Sequence, residues 1–121
     1  PISFTDLGRL RVQECERVQA LRTELTKCGA VIREEGDTLH VEPSPELHGA
    51  QIDTYNDHRI AMAFALLGIK VPGIRLSDPS CVKKTFPNFF QKLSASPPNG
   101  LGVAIQDAGG CLLSGEELFA A

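Results

Sequence analysis

The 121-residue sequence has no surplus of positive charge: its formal net charge is -3 and the charged residues are well mixed along it. No basic surface is advertised that would neutralise a run of phosphates, so nucleic acid is not an expected partner. Long hydrophobic runs are missing too. The longest uninterrupted apolar stretch, Ile60 to Leu67, falls far short of the roughly 20 residues a helix needs to cross a bilayer, and no signal-peptide pattern or membrane helix is visible. The four cysteines, Cys15, Cys28, Cys81 and Cys111, include no C-x-x-C pair, and none of the three histidines lies at ligand spacing from them. That argues against a zinc site or any other metal centre. Without secretory features the thiols read as reduced, in a cytosol-like, cytoplasmic setting. Obvious internal repeats are lacking, although two β-α-β stretches in tandem hint at structural repetition. The length allows one domain at most, small for a self-contained two-substrate enzyme. The opening "PISFTDLG" has no Met and reads as a chain entered midway.

What is present has helical and strand periods in alternation. In "ECERVQALRTELTKCGA", stepping about 100° per residue from Glu14 brings Val18, Leu21, Leu25 and Cys28 within about 40° of it, with Glu16, Thr23, Thr26 and Lys27 opposite. Gly29 supplies the stop. "AVIREEGDTLHVEP" reads as two short β-runs about Gly36-Asp37, the second closed by Pro43 and Pro45. "SPELHGAQ" is loop. Asp57 to Leu67 is helix-competent and apolar on every side, which predicts a buried helix. "GIRLSD" is a strand, and "FPNFFQKLSA" restarts a helix with Thr85 as cap and Pro87 in its first turn. The order is β-α-β-β-α-β-α, an α/β or α+β unit. From Ser94 "SASPPNGLG" is linker-like, "VAIQDAGGCLLSG" forms a hairpin turning at Asp107 to Gly110, and "EELFAA" is a short end. Residues 1–94 thus form the partial domain, and 95–121 a linker-like segment with a hairpin tail of unknown role.

Three places carry candidate chemistry. Glu14 and Arg17, three apart on one predicted helix, are either a salt bridge at the core's edge or a first turn that meets an anion, with Glu14 exchanging a proton. Asn56 or Asp57 caps the apolar helix and leaves His58 and Arg59 beside free backbone N–H groups; in isolation such a D-H-R merely satisfies loop carbonyls, whereas Arg59 can also hold a carboxylate or phosphate in two-point fashion. Lys83 and Lys84 precede the last helix, and two loop lysines are usually just solvated. Three loop-to-helix junctions that each present a cation predict a site for a small polyanion.

"RVQECERVQALRTEL", "DTYNDHRIAMAFAL" and "DPSCVKKTFPNFF", in this order and at these separations, closely resemble the C-terminal part of the 5-enolpyruvylshikimate-3-phosphate synthase family, the 3-phosphoshikimate 1-carboxyvinyltransferases. The resemblance covers Phe4 to about Leu93. It implies repeated β-α-β-α-β-β units with helices inside and sheets outward. It also implies a reaction in which the 5-hydroxyl of shikimate 3-phosphate attacks phosphoenolpyruvate, a tetrahedral ketal forms and phosphate leaves, with no metal or organic cofactor. Carried over by position, Glu14 matches the glutamate near the reacting methylene, Arg17 and Arg59 the arginines that hold phosphoenolpyruvate, His58 the histidine beside it, and Lys84 the lysine of K-T-F-P.

The acceptor half of the pattern departs from the family. Arg9 and Gln13 stand where its N-x-R-V-K-E-[ST]-D-R motif has the Asn and Lys that contact shikimate 3-phosphate, Cys15 replaces a small hydroxyl, and Glu16 replaces Asp. The resemblance therefore implies the C-terminal portion of an enolpyruvyl transferase, inactive without its N-terminal part. The alternatives are a related transferase with another hydroxylated acceptor and a non-catalytic anion-binding module of the same fold.

Overall fold

The computed structural model describes residues 1–44, 46–113 and 118. The expected strand stop at Pro45 and, apart from Leu118, the short end at Glu116 to Ala121 lie outside them. The described elements are β1 (Ile2–Phe4), a 3-10 helix (Gly8–Val12), α1 (Arg17–Lys27), β2 (Val31–Glu35), β3 (Thr38–Glu42), β4 (Gln51–Ile52), α2 (His58–Leu67), β5 (Arg75–Leu76), a second 3-10 helix (Pro79–Lys84) and α3 (Phe89–Ser94).

The expected hairpin is present: β2 and β3 pair antiparallel from Val31 opposite Glu42 to Glu35 opposite Thr38, turning at Gly36-Asp37. β1 adds to the free edge of β3, Ile2 opposite Val41, giving a three-stranded sheet in the order β1-β3-β2. A two-residue strand was missed in the stretch read as loop and its continuation. That strand, β4, pairs in parallel with β5, Gln51 opposite Arg75. Parallel neighbours need a crossover, and α2 is that crossover.

α2 begins at its predicted cap, Asp57, whereas α1 and α3 begin elsewhere than predicted. Glu16 caps α1, its Oε1 accepting the N–H groups of Val18 at 3.0 Å and Gln19 at 3.1 Å, so the helix opens at Arg17 and Glu14 stands outside it in an exposed bend. The buried positions of α1 are Arg17, Val18, Ala20 and Glu24, while Leu21 and Leu25 are half-buried. At the other end the Ala30 N–H bonds back to the Leu25 carbonyl at 3.1 Å and Gly29 sits at φ +89°, the left-handed closure that favours glycine. α3 starts at Phe89 after Asn88; Thr85 instead closes the 3-10 helix before it, and Pro87 precedes the first turn.

Two apolar clusters flank α2. Ile60 and Phe64 join Ala20, Cys28 and Ile52 on one side, and Ala61 joins Cys81, Val82, Phe89 and Leu93 on the other. The helix is not buried all round, as its composition predicted. Ala63 and Leu66 face outward, and with Leu21, Leu25 and Leu67 they line an open groove of about 400 Å³. Nothing among the described residues covers that side. Past α3 the chain bends back, the N–H groups of Leu101 and Val103 both reaching the Leu93 carbonyl, and Val103 and Ile105 pack on the second cluster. A bridge between Gln106 and Leu112 closes the turn expected at Asp107 to Gly110.

Candidate functional site

The loop from Asp53 to Asp57 delivers the chain into α2. Thr54 has no exposed surface; its N–H reaches the Ser77 hydroxyl and its own hydroxyl the Ser77 carbonyl, which fixes the loop to the end of β5. Tyr55 and Asn56 take φ values of +55° and +52°, and the Tyr55 N–H folds back on the Asp53 carboxylate at 2.8 Å. Asp57 is the cap, accepting the Arg59 N–H at 2.9 Å.

Asp57 also gathers what the sequence holds far apart. Arg17 donates through Nε to Oδ2 at 2.7 Å and through Nη2 to Oδ1 at 3.2 Å, and the Cys15 thiol donates to Oδ2 at 3.2 Å. Burial alone would raise the Asp57 carboxyl, but these hydrogen bonds outweigh it and hold it below the usual carboxylate range. The same contacts push the guanidinium of Arg17 up and, with burial as the larger cause, the Cys15 thiol to about 11. Cys15 therefore stays a neutral thiol, standing in for a hydroxyl donor.

The other expected residues lie around this pair. Arg59 opens outward from the first turn of α2, and its guanidinium has no partner among the described residues. His58 is 8% exposed and its Nδ1 is buried without a hydrogen-bond partner. Across 70 residues of sequence, Lys84 Nζ meets Glu14 Oε2 at 3.4 Å, both side chains more than 40% exposed. Arg9 and Gln13 are exposed on or just after the first 3-10 helix. Of the two readings of Glu14 and Arg17, the salt bridge between them does not form: Glu14 turns to Lys84, and Arg17, the first residue of α1, turns to Asp57. The central arginine of this first motif is Arg11, whose guanidinium meets Glu16, Glu34 and Asp37 and ties the segment to the β2–β3 hairpin.

Sequence reasoning missed Glu24 altogether. It is 1% exposed and accepts from Lys27 Nζ at 2.7 Å, the Tyr55 hydroxyl at 2.6 Å and the Asp53 N–H at 2.9 Å. Burial would raise its carboxyl, but those three donors keep it low, while burial and the Glu24 contact together push the Tyr55 phenol up. The available signal was a glutamate recurring seven residues after Arg17, on the same helix face.

A cation-bearing helix start, a lysine paired to an exposed carboxylate and a free arginine together can bind a small polyanion and move a proton beside it. The family model for EPSP synthase (3-phosphoshikimate 1-carboxyvinyltransferase) matches residues 2–93. A 3-phosphoshikimate 1-carboxyvinyltransferase of Rhizobium leguminosarum bv. trifolii is 46% identical over 112 residues, covering 88% of this chain and 26% of its own length; this alignment reaches past Leu93 into the tail. One from Nostoc punctiforme is 46% identical over 92 residues, covering 76% and 21%. The solved EPSP synthase of Acinetobacter baumannii superposes with a TM-score of 0.66 at 31% identity, over 74% of this chain and 22% of that one. The chain spans about a quarter of the length of the relatives it matches, 26% in the Rhizobium case. With about three quarters of its length inside the family model and a matching α/β fold, the chain belongs to the EPSP synthase (3-phosphoshikimate 1-carboxyvinyltransferase) family.

Proposed function

We propose that this chain is the C-terminal part of a transferase that moves the enolpyruvyl group of phosphoenolpyruvate to the 5-hydroxyl of shikimate 3-phosphate. It acts in the cytoplasm, in the shikimate pathway of aromatic amino acid biosynthesis, and only with the remainder of its polypeptide. The observation that carries this is the convergence of all three motifs: Glu14 on Lys84, and Arg17 on the Asp57 that caps the Arg59 helix. Arg59, Arg17 and Lys84 hold the phosphoenolpyruvate carboxylate and phosphate, with His58 beside them. The acceptor hydroxyl gives up its proton as its oxygen bonds to the central carbon of phosphoenolpyruvate and Glu14 protonates the methylene; the ketal then collapses by returning the methyl proton to Glu14, and the hydroxyl's proton leaves with the phosphate. The cations offset the negative charge that develops on the departing phosphate.

The test uses the whole natural polypeptide. Glu14→Gln keeps shape and removes the proton, so kcat should fall about 100-fold or more with little change in KM. Arg59→Ala removes a cation with no partner among the described residues and should weaken phosphoenolpyruvate binding by about 1.5 to 3 kcal/mol. Normal turnover in the first together with normal binding in the second would refute the assignment. A second reading, transfer to another hydroxylated acceptor, is favoured by Arg9 and Gln13, exposed where the family has its acceptor contacts. Gln13→Lys should tighten shikimate 3-phosphate only if that is the acceptor.

A further inference from the structure

The Asp53 to Asp57 loop is clasped twice by one face of α1. Arg17 and Glu24 stand seven residues apart, two helical turns, so their side chains leave the helix in nearly the same direction. Arg17 takes the end of the loop at Asp57. Glu24 takes its start and middle, through the Asp53 N–H and the Tyr55 hydroxyl. The polarity is opposite in the two clasps, a cation on α1 gripping a loop carboxylate and a carboxylate on α1 gripping loop donors, so neither can trade places with the other. Between them sit Tyr55 and Asn56, both in the left-handed region, which residues with a Cβ occupy only when their surroundings hold them there. Lys27 at 2.7 Å neutralises Glu24, so the clasp adds no net charge near the cations of the site.

A buried carboxylate is a poor way to gain stability, since an apolar pair of the same volume would do as well. Its directional contact is what an apolar pair lacks. We propose that Glu24 and Tyr55 are positioning residues: their hydrogen bond, away from the reacting groups, holds the loop in the form that sets His58 and Arg59 against Arg17. This rests on the function proposed above.

Kinetics of the whole natural polypeptide test it. Tyr55→Phe deletes one hydroxyl and Glu24→Gln keeps the shape; each should raise the KM for phosphoenolpyruvate about tenfold while kcat moves less, because the binding cations are displaced. The double variant should be no worse than the worse single, since both remove one contact. Leu39→Ala, a core change in β3, serves as a control that lowers stability without touching the loop. An unchanged KM in both loop variants, or an equal rise in the control, would overturn the proposal. A wild-type chain that turns over neither substrate would count against the function instead. Spectra of arginine-labelled protein then decide the present point: an Arg59 side-chain resonance that shifts in Tyr55→Phe, while that of Arg33 on β2 stays, supports it, and an unmoved Arg59 overturns it.

Discussion

Asp57 has to stay ionised with no surface in water, and Arg17 makes that tenable. Because its carboxyl is held below the usual range in the folded chain, the unfolded chain takes up this proton first as pH falls. The contribution is complete above about pH 4 and is lost as pH drops from there towards the lower folded value. Asp57→Asn should therefore reduce stability at neutral pH by about 3 to 5 kcal/mol, since it strands Arg17 beside a neutral amide. It should also flatten the acid limb. Urea unfolding of both proteins at pH 7 and at about pH 3 measures this; curves that stay equally separated at the two values would mean that the proton is not taken up at Asp57.

For the elements, α2 holds the informative contrast. Phe64 is 2% exposed and packs into the first cluster, whereas Leu66, two residues on, is 51% exposed on the groove side. In this chain Phe64→Ala should cost about 3 to 5 kcal/mol through the cavity it leaves. Leu66→Ala should stay within about 0.5 kcal/mol. Chemical denaturation midpoints read both, and equal losses would mean that the groove face is covered in solution. Composition alone makes these two positions equivalent, because an all-apolar helix has no polar face to orient it.

At the scale of the whole molecule, an ordered core stands in a chain much shorter than its relatives. The two clusters and the sheet supply a folded unit, yet the chain covers about a quarter of its relatives' length, 26% for the Rhizobium protein. The 121-residue chain, given phosphoenolpyruvate and shikimate 3-phosphate, should release no phosphate in steady state while showing a cooperative melt. Continuous phosphate release by the purified chain would show the catalytic set to be complete within it.

The family, the β2–β3 hairpin, the stop at Gly29 and the capped start of α2 were legible in the sequence. These rest on residue types at short spacing, where chemistry and backbone geometry act locally: Gly36-Asp37 turns a chain wherever it stands, and N-D-H-R followed by an apolar run specifies a capped helix. The starts of α1 and α3 were less so. Glu14 and Glu16 are the same residue type two positions apart, and only the fold shows which carboxylate bonds the free N–H groups of α1 and which turns to Lys84. The pairings that shape the site, Arg17 with Asp57 and Glu24 with Tyr55, span 40 and 31 residues, and periodicity carries no information at that range. Tertiary structure decided them because a buried charge takes whichever opposite group the packing of α1 on the α2 loop brings within hydrogen-bond reach.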